Sequence, residues 1–583
     1  MMANWPRGGV LPHSCLFQKT PPNVIQMSLY QKYLTDLRRS FPQPVSDRVH
    51  DAYFVFSIMQ TLDEVDRLKS DLPMLGTPTT IDYETALEMR VAEEPQAMED
   101  VQSALVDCLK GMPIWGHPLT QINVIGVPTI PSVIGSLLPA IYNPNLASDE
   151  SSYGVSEAEA KVTAMVSHLV GYDPNQASGM FTFGGTGALL YGVKLGIEKA
   201  FPDAIEHGLS SGGVLLASGQ SHYARLNAAG WLGIGEQNVR AIPTGLDNAI
   251  DLQALEASAR QALDEGRKIV AIIATIGTTD AFGIDDLPEI VRIRNRLVEE
   301  YQLDYRPHIH ADAVIGWAWS VFNDYDFEDN PLEFRPRTIR ALATVHRVVQ
   351  HLNLADSIGI DFHKTGFAPY ISTLFLVRNQ QDLQLLVRGR DEMPYLFQSG
   401  ERHPAMFTLE TSRSGSGVMA AYANLKLFGK RGLRALLGHM VEMAELLREH
   451  LEGHGSTTVL NIENVGPVTL FRVYPDGVDT WDIKKREIND PSAIEELRRH
   501  NDFNRRVFEF LHDRAMEGKG VHLSKTECYR PTEYGEPIVA LKSYICTPFL
   551  DEEHIELLVQ TILDAREAVM KADSANSQPT VSD

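Results

Sequence analysis

The sequence predicts an α/β fold: a large domain built on a mostly parallel sheet, followed by a smaller α+β domain. Three observations predict it. From about residue 145 to residue 400, short apolar, β-rich runs alternate with helix-period stretches, the pattern of a parallel sheet covered on both faces. After about residue 415 the order changes to a helical pair and then strand, strand, helix, strand, helix. A chain of 583 residues also exceeds what one hydrophobic core usually supports.

The elements follow in order. Residues 1–115 form an N-terminal segment whose first 25 residues are rich in Pro and Gly. Beyond them "SLYQKYLTDLRR", "VFSIMQTLDEVDRLKSDL" and "AMEDVQSALVDCLKGM" have amphipathic helical periodicity. So small a helical set has little core of its own and is expected to pack on something else, such as a partner chain. Residues 116–430 form the large domain. Its strand candidates are "GGVLLAS", "NVRAIPT", "KIVAIIAT", "HIHADA", "DSIGID" and "STLFLVR", with helices such as "DLPEIVRIRNRLVEEYQ" between them. Residues 431–570 form the smaller domain, from "STTVLNIE", "PVTLFRVYP", "PIVALKSYICTP" and two long helices. The polar tail, residues 571–583, is expected to be disordered.

Composition narrows the function classes. A formal charge of −24 argues against a nucleic-acid surface, which needs clustered Lys and Arg. No run of about 18 apolar residues is present, so no membrane span is expected. Cys15, Cys108, Cys528 and Cys546 are scattered without metal-ligand spacing, so no metal is expected and the thiols fit a reducing compartment. The opening "MMANWPRGGVLPHSC" lacks the basic-then-apolar profile of a signal peptide. A cytoplasmic enzyme is the expectation.

Four loops at the C-terminal ends of strands carry polar residues that could converge. In "TFGGTGALLYGVKLG" a Gly-rich turn with Gly185 and Thr186 opens a helix, where backbone N–H groups and the helix dipole favour an anion. In "SGQSHYAR", His222 precedes a helix and could stack on a planar ring. In "HIHADAV", Asp312 ends a strand, where a carboxylate can pair with a cationic ring nitrogen. In "DFHKTGFAPY", Lys364 lies between two apolar runs, and partial burial would supply the neutral amine that attacks an aldehyde. Each alone fits a capped turn, a packed ring, an N-cap or a solvated lysine. Together, in this order, they are the parts that hold pyridoxal phosphate.

The chain resembles the group II pyridoxal-phosphate-dependent amino-acid decarboxylases over roughly residues 116–549. The resemblance rests on "ADSIGIDFHKTGFAPY", "HIHADAV", "ATIGTTDAFGIDDL", "SHYARLNAAGWLGIG" and "LETSRSGSGVMAAYANLKLFGKRG". It is nearest in feel to bacterial tyrosine and glutamate decarboxylases. It implies the aspartate-aminotransferase-like fold, type I, and decarboxylation of an L-amino acid to its amine and CO2. It also implies roles. Lys364 forms the internal aldimine, Asp312 keeps the pyridine nitrogen protonated, and His222 stacks on the ring. Gly185, Thr186 and His363 contact the phosphate, and Thr275 and Ala313 line the cofactor. Tyr395, in "RDEMPYLFQSG", protonates the substrate α-carbon, and Tyr370 faces the same pocket. The resemblance further implies a homodimer with the active site at the subunit interface.

The departures are specific. Where relatives carry Glu after Gly-Gly-Thr, this chain has Gly187; Ala311 and Val314 alter the Asp312 motif; and Trp317 and Trp319 fill a region that is Gly-rich in relatives. Arg413 could bind a carboxylate bidentately or serve on the surface or phosphate side. Two other readings stay open on the sequence. One is a carbon–carbon lyase of the sphingosine-phosphate-lyase type, which "HKTGFAPY" also resembles. The other is a catalytically inactive relative with a regulatory role.

Overall fold

A computed structural model describes residues 27–78, 80–209, 212–394 and 399–576. They divide into two compact units: one with the residues up to Arg67 and Asp82–Leu109, the other with Leu68–Ile81 and the residues from Lys110 onward. In the first unit, helices Leu29–Leu37 and Arg48–Asp66 bury no residue, and helix Met98–Asp107 buries Gln102 and Val106. Gln102 donates to the Ser57 carbonyl and the Thr61 hydroxyl, both at 2.9 Å.

The second unit holds two sheets. The larger has seven strands: β1 (Ser178–Thr182), β2 (Gly213–Ser218), β3 (Val239–Ile242), β4 (Lys268–Thr275), β5 (His308–Asp312), β6 (Ser357–Asp361) and β7 (Thr373–Val377). Their spatial order is β1-β7-β6-β5-β4-β2-β3. Strands β3, β2, β4, β5 and β6 pair in parallel, while β7 runs antiparallel to both β6 and β1. The C-terminal ends of β1, β2, β4, β5 and β6 therefore share one edge of the sheet, where ligands bind in open α/β folds. Central strands such as β4 are buried along almost their whole length, which explains their unbroken apolar runs. Six of these strands coincide with predicted runs. Strand β1, "SGMFT", is short and carries a glycine, and its sequence gave no run to detect.

The smaller sheet has order β10-β11-β9-β8, from β8 (Thr457–Val459), β9 (Val468–Val473), β10 (Ser524–Thr526) and β11 (Ala540–Tyr544), all antiparallel. Helix Ser416–Glu452 joins the two sheets and breaks at Gly429 (φ 54°, ψ −168°), beside the expected boundary at residue 430. Helix Glu552–Asn576 closes the chain. It corrects the expected disorder from residue 571: residues 571–576 continue this helix, and residues 577–583 lie outside the described residues. No helix among the described residues is long and apolar enough to cross a membrane.

Candidate active site

The site gathers at the C-terminal edge of the large sheet. On the phosphate-cradle side, β1 runs into a Gly-rich turn. Gly184 takes φ +104°, a conformation that a side chain would strain, and precedes helix Gly185–Ala200. Gly184 has no side chain to cap that helix, so the first-turn N–H groups of Gly185, Thr186 and their neighbours are left for an anion.

Register sets the next pair. Thr275, the last residue of β4, lies opposite Asp312, the last of β5. Burial pushes the Asp312 carboxyl up to about 6; the Lys364 ammonium pulls it down, and Asp361 pushes it up. A cation bound against it would favour its charged form. The Thr275 hydroxyl is buried without a hydrogen-bond partner, while its backbone N–H donates to Asp285 at 2.7 Å. Ala313 follows Asp312 and is fully buried.

Lys364 follows β6 in a turn that leads to β7. Its Nζ lies 3.0 Å from Asp361 Oδ2, and its side chain is 18% exposed. The Thr373 hydroxyl, opposite Asp361 across the β6–β7 ladder, donates to Asp361 Oδ1 at 2.6 Å. Asp361 stood in the quoted motif without a role. The structure makes it the direct partner of the lysine, and the spacing of three residues was the signal that could have found it. His363 places Nε2 3.4 Å from Asp361 Oδ2 and Nδ1 3.1 Å from the Ser372 carbonyl. Burial lowers its pKa. The Tyr370 ring packs against His363 at a tilt of 44°, with ring centroids 4.0 Å apart.

His222 sits two residues before helix Ala224–Trp231, and its Nδ1 accepts the Ala224 N–H at 3.2 Å. Burial first, then the charge on Lys364, lowers its pKa. It lines a cavity of about 760 Å³ with Gln220, Thr278, Asp280, Tyr529 and Arg530. Tyr395 lies outside the described residues.

The departures have physical reasons. A Cβ on Gly187 would come 2.5 Å from Thr182 Oγ1, so a Glu there would need the Thr182 side chain to shift. A carboxylate arrives from elsewhere: Glu410 accepts the Thr182 hydroxyl at 2.6 Å and the Tyr191 hydroxyl at 2.5 Å. Trp317 and Trp319 are fully buried. Trp317 donates Nε1–H to the Asp361 carbonyl at 3.3 Å and packs on Phe362, so it supports the lysine turn from behind. Arg413 is buried and held by Glu159 at 2.6 Å and by the carbonyls of Phe181 and Leu146. Its guanidinium ties β1 to its neighbours.

These residues fit pyridoxal phosphate: an uncapped helix start for the phosphate, an orphaned buried hydroxyl at Thr275, a carboxylate at Asp312 suited to a pyridinium, an imidazole at His222, and a lysine amine between them. Among the described residues, no group of three or more His, Cys, Asp or Glu side chains is placed to hold a metal ion.

The comparisons with known proteins agree. The family model of the pyridoxal-dependent decarboxylase conserved domain matches residues 82–474. An L-tyrosine decarboxylase of Enterococcus faecium is 22% identical over 581 residues, covering 84% of this chain and 90% of that one. An L-2,4-diaminobutyrate decarboxylase of Rhizobium meliloti is 28% identical over 302 residues, covering 51% and 54%. Among solved structures, the glutamate decarboxylase domain of a Vibrio parahaemolyticus diaminobutyrate-pyruvate transaminase and L-2,4-diaminobutyrate decarboxylase superposes with a TM-score of 0.69 at 18% identity, covering 92% and 99%. Catharanthus roseus tryptophan decarboxylase in complex with L-tryptophan gives 0.70 at 16% identity, covering 91% and 100%. The fold is the shared one, and the chain belongs to the pyridoxal-dependent decarboxylase family, whose members remove CO2 from amino acids.

Proposed function

We propose that this protein decarboxylates an L-amino acid on pyridoxal phosphate carried by Lys364, in a cytoplasmic homodimer. The observation that carries the reading is that Asp312, His222 and His363 all feel the charge of one lysine, whose amine is already anchored by Asp361.

Bound pyridoxal phosphate supplies an electron sink for the pair left on the α-carbon when CO2 departs. The chain's own residues do the rest. Asp312 would hold a proton on the ring nitrogen. His222, whose pKa is lowered by partial burial and by the charge on Lys364, would stack on the ring. Gly185 and Thr186 present N–H groups to the phosphate, and His363 adds a neutral imidazole there. Asp361 holds the Lys364 amine at the position from which it exchanges with the substrate amine. Tyr370 walls the approach, and Tyr395 is the proposed proton donor to the α-carbon. The cavity beside His222 offers Arg530 as a cation for the substrate carboxylate.

Support for a homodimer comes from apolar surface. Helix Ile130–Tyr142 exposes Ile130, Val133, Ile134, Leu137, Leu138 and Tyr142, a stripe too continuous for a lone soluble chain. Cys108, Cys528 and Cys546 are free thiols, in keeping with the cytoplasm.

The test is direct. Purified protein is incubated with pyridoxal phosphate and each common amino acid, and the amines are identified by mass spectrometry. One amino acid should yield its amine, and Lys364→Ala should yield none. Aldehyde release from a phosphorylated amino alcohol, with no amine from any amino acid, would contradict the reading.

A further inference from the structure

A second cavity, of about 480 Å³, opens beside Tyr370, and Phe183, Pro369, Ile371, Thr182 and Glu410 share its wall. Tyr370 borders both this cavity and His363, the neighbour of Lys364, its ring tilted 44° to the imidazole. Phe183, Tyr370 and Ile371 are 41%, 55% and 52% exposed. These are apolar walls that a methylene stem would cover. The charged groups lining the cavity are Glu410 and Arg413, and Arg413 is already paired with Glu159. That leaves one carboxylate facing the space.

Glu410 is also fixed. Its two oxygens accept from Thr182 at the end of β1 and from Tyr191 on helix Gly185–Ala200, both rigid elements. Each oxygen therefore has a neutral hydroxyl partner, and neither has a cation within ion-pairing distance among the described residues. A substrate phenol would add a third neutral donor to an acceptor that is already engaged. An ammonium adds Coulomb attraction in a partly desolvated place, the stronger gain. A carboxylate would be repelled.

We infer that Glu410 is a specificity residue selecting an L-amino acid whose side chain ends in an ammonium on a short methylene stem. The inference rests on the reading of Lys364 as the reacting amine.

Two measurements on the cofactor-loaded protein test it, with Glu410→Gln as the variant because it keeps the shape and removes the charge. In turnover, 2,4-diaminobutyrate, ornithine or lysine should be preferred over tyrosine, phenylalanine and glutamate. Glu410→Gln should raise KM for the diamino acid by about tenfold or more while leaving kcat within a few-fold. In thermal unfolding, 1,3-diaminopropane should protect the wild-type protein and not Glu410→Gln, whereas tyramine should affect the two alike. Preference for tyrosine or an acidic amino acid, or protection by the diamine that does not depend on Glu410, would overturn the assignment. If no amino acid is turned over while the diamine still protects through Glu410, the subsite stands and the decarboxylase reading falls.

Discussion

Asp312 and Thr275 end neighbouring parallel strands and lie opposite each other at the sheet edge. Burial lifts the Asp312 carboxyl to about 6, so its charge is favoured by a cation beside it. Replacing it with Asn keeps the shape and removes the charge that holds the ring proton. Asp312→Asn is therefore expected to lower kcat/KM by about two orders of magnitude or more, with a blue or red shift of the bound cofactor's visible band as the companion readout. Asp285 acts one step behind. It accepts the N–H groups of Thr275 and Ile250, both at 2.7 Å, and burial pushes its carboxyl up to about 7. An acid whose folded pKa lies above its unfolded value contributes stability below the unfolded value and loses that contribution as pH rises through the folded one. Over pH 4 to 7 this loss is on the order of 3 kcal/mol. Asp285→Asn should flatten the fall in Tm between pH 5 and pH 8, as measured by calorimetry on both proteins.

At the scale of elements, the lysine turn between β6 and β7 is built by the antiparallel ladder. Asp361 faces Thr373, and the turn carries Lys364 back over the sheet edge. The Gly-rich turn depends on a close approach at Gly187. Gly187→Ala would push on Thr182 and disturb the bond to Glu410, at a cost of about 1–3 kcal/mol in denaturant unfolding. Much of this was legible in the sequence. Buried strands leave apolar runs, so β2, β4, β5, β6 and β7 could be read, β3 as a less buried edge strand, and the loops after β2, β5 and β6 could be placed in order. What was not legible has definite causes. Strand β10 has three polar residues, and β1, as long as β5 to β7, has only Met180 and Phe181 as large apolar residues beside Ser178, Gly179 and Thr182. Asp361 ends β6, and its spacing from Lys364 hinted at the pairing, but nothing local reveals that Thr373 will face it. Glu410 reaches Thr182 across 228 positions of sequence, a contact only the fold creates. Arg413 offered two roles in the sequence, and its buried pairing with Glu159 favours a third, structural one.

At the scale of the molecule, helix Ile130–Tyr142 presents an apolar stripe that a single chain leaves in water. With a second copy covering it, Ile134→Glu combined with Leu138→Glu should convert a dimer to a monomer in light scattering, and lower cofactor retention if the site is shared between copies. The covalent link to the cofactor is expected on one nitrogen, that of Lys364. Loading the protein with pyridoxal phosphate, reducing with borohydride and mapping the peptides tests it most directly. The expected result is a single pyridoxyl adduct on Lys364, absent from Lys364→Ala. An adduct on another lysine, or none, would contradict the account.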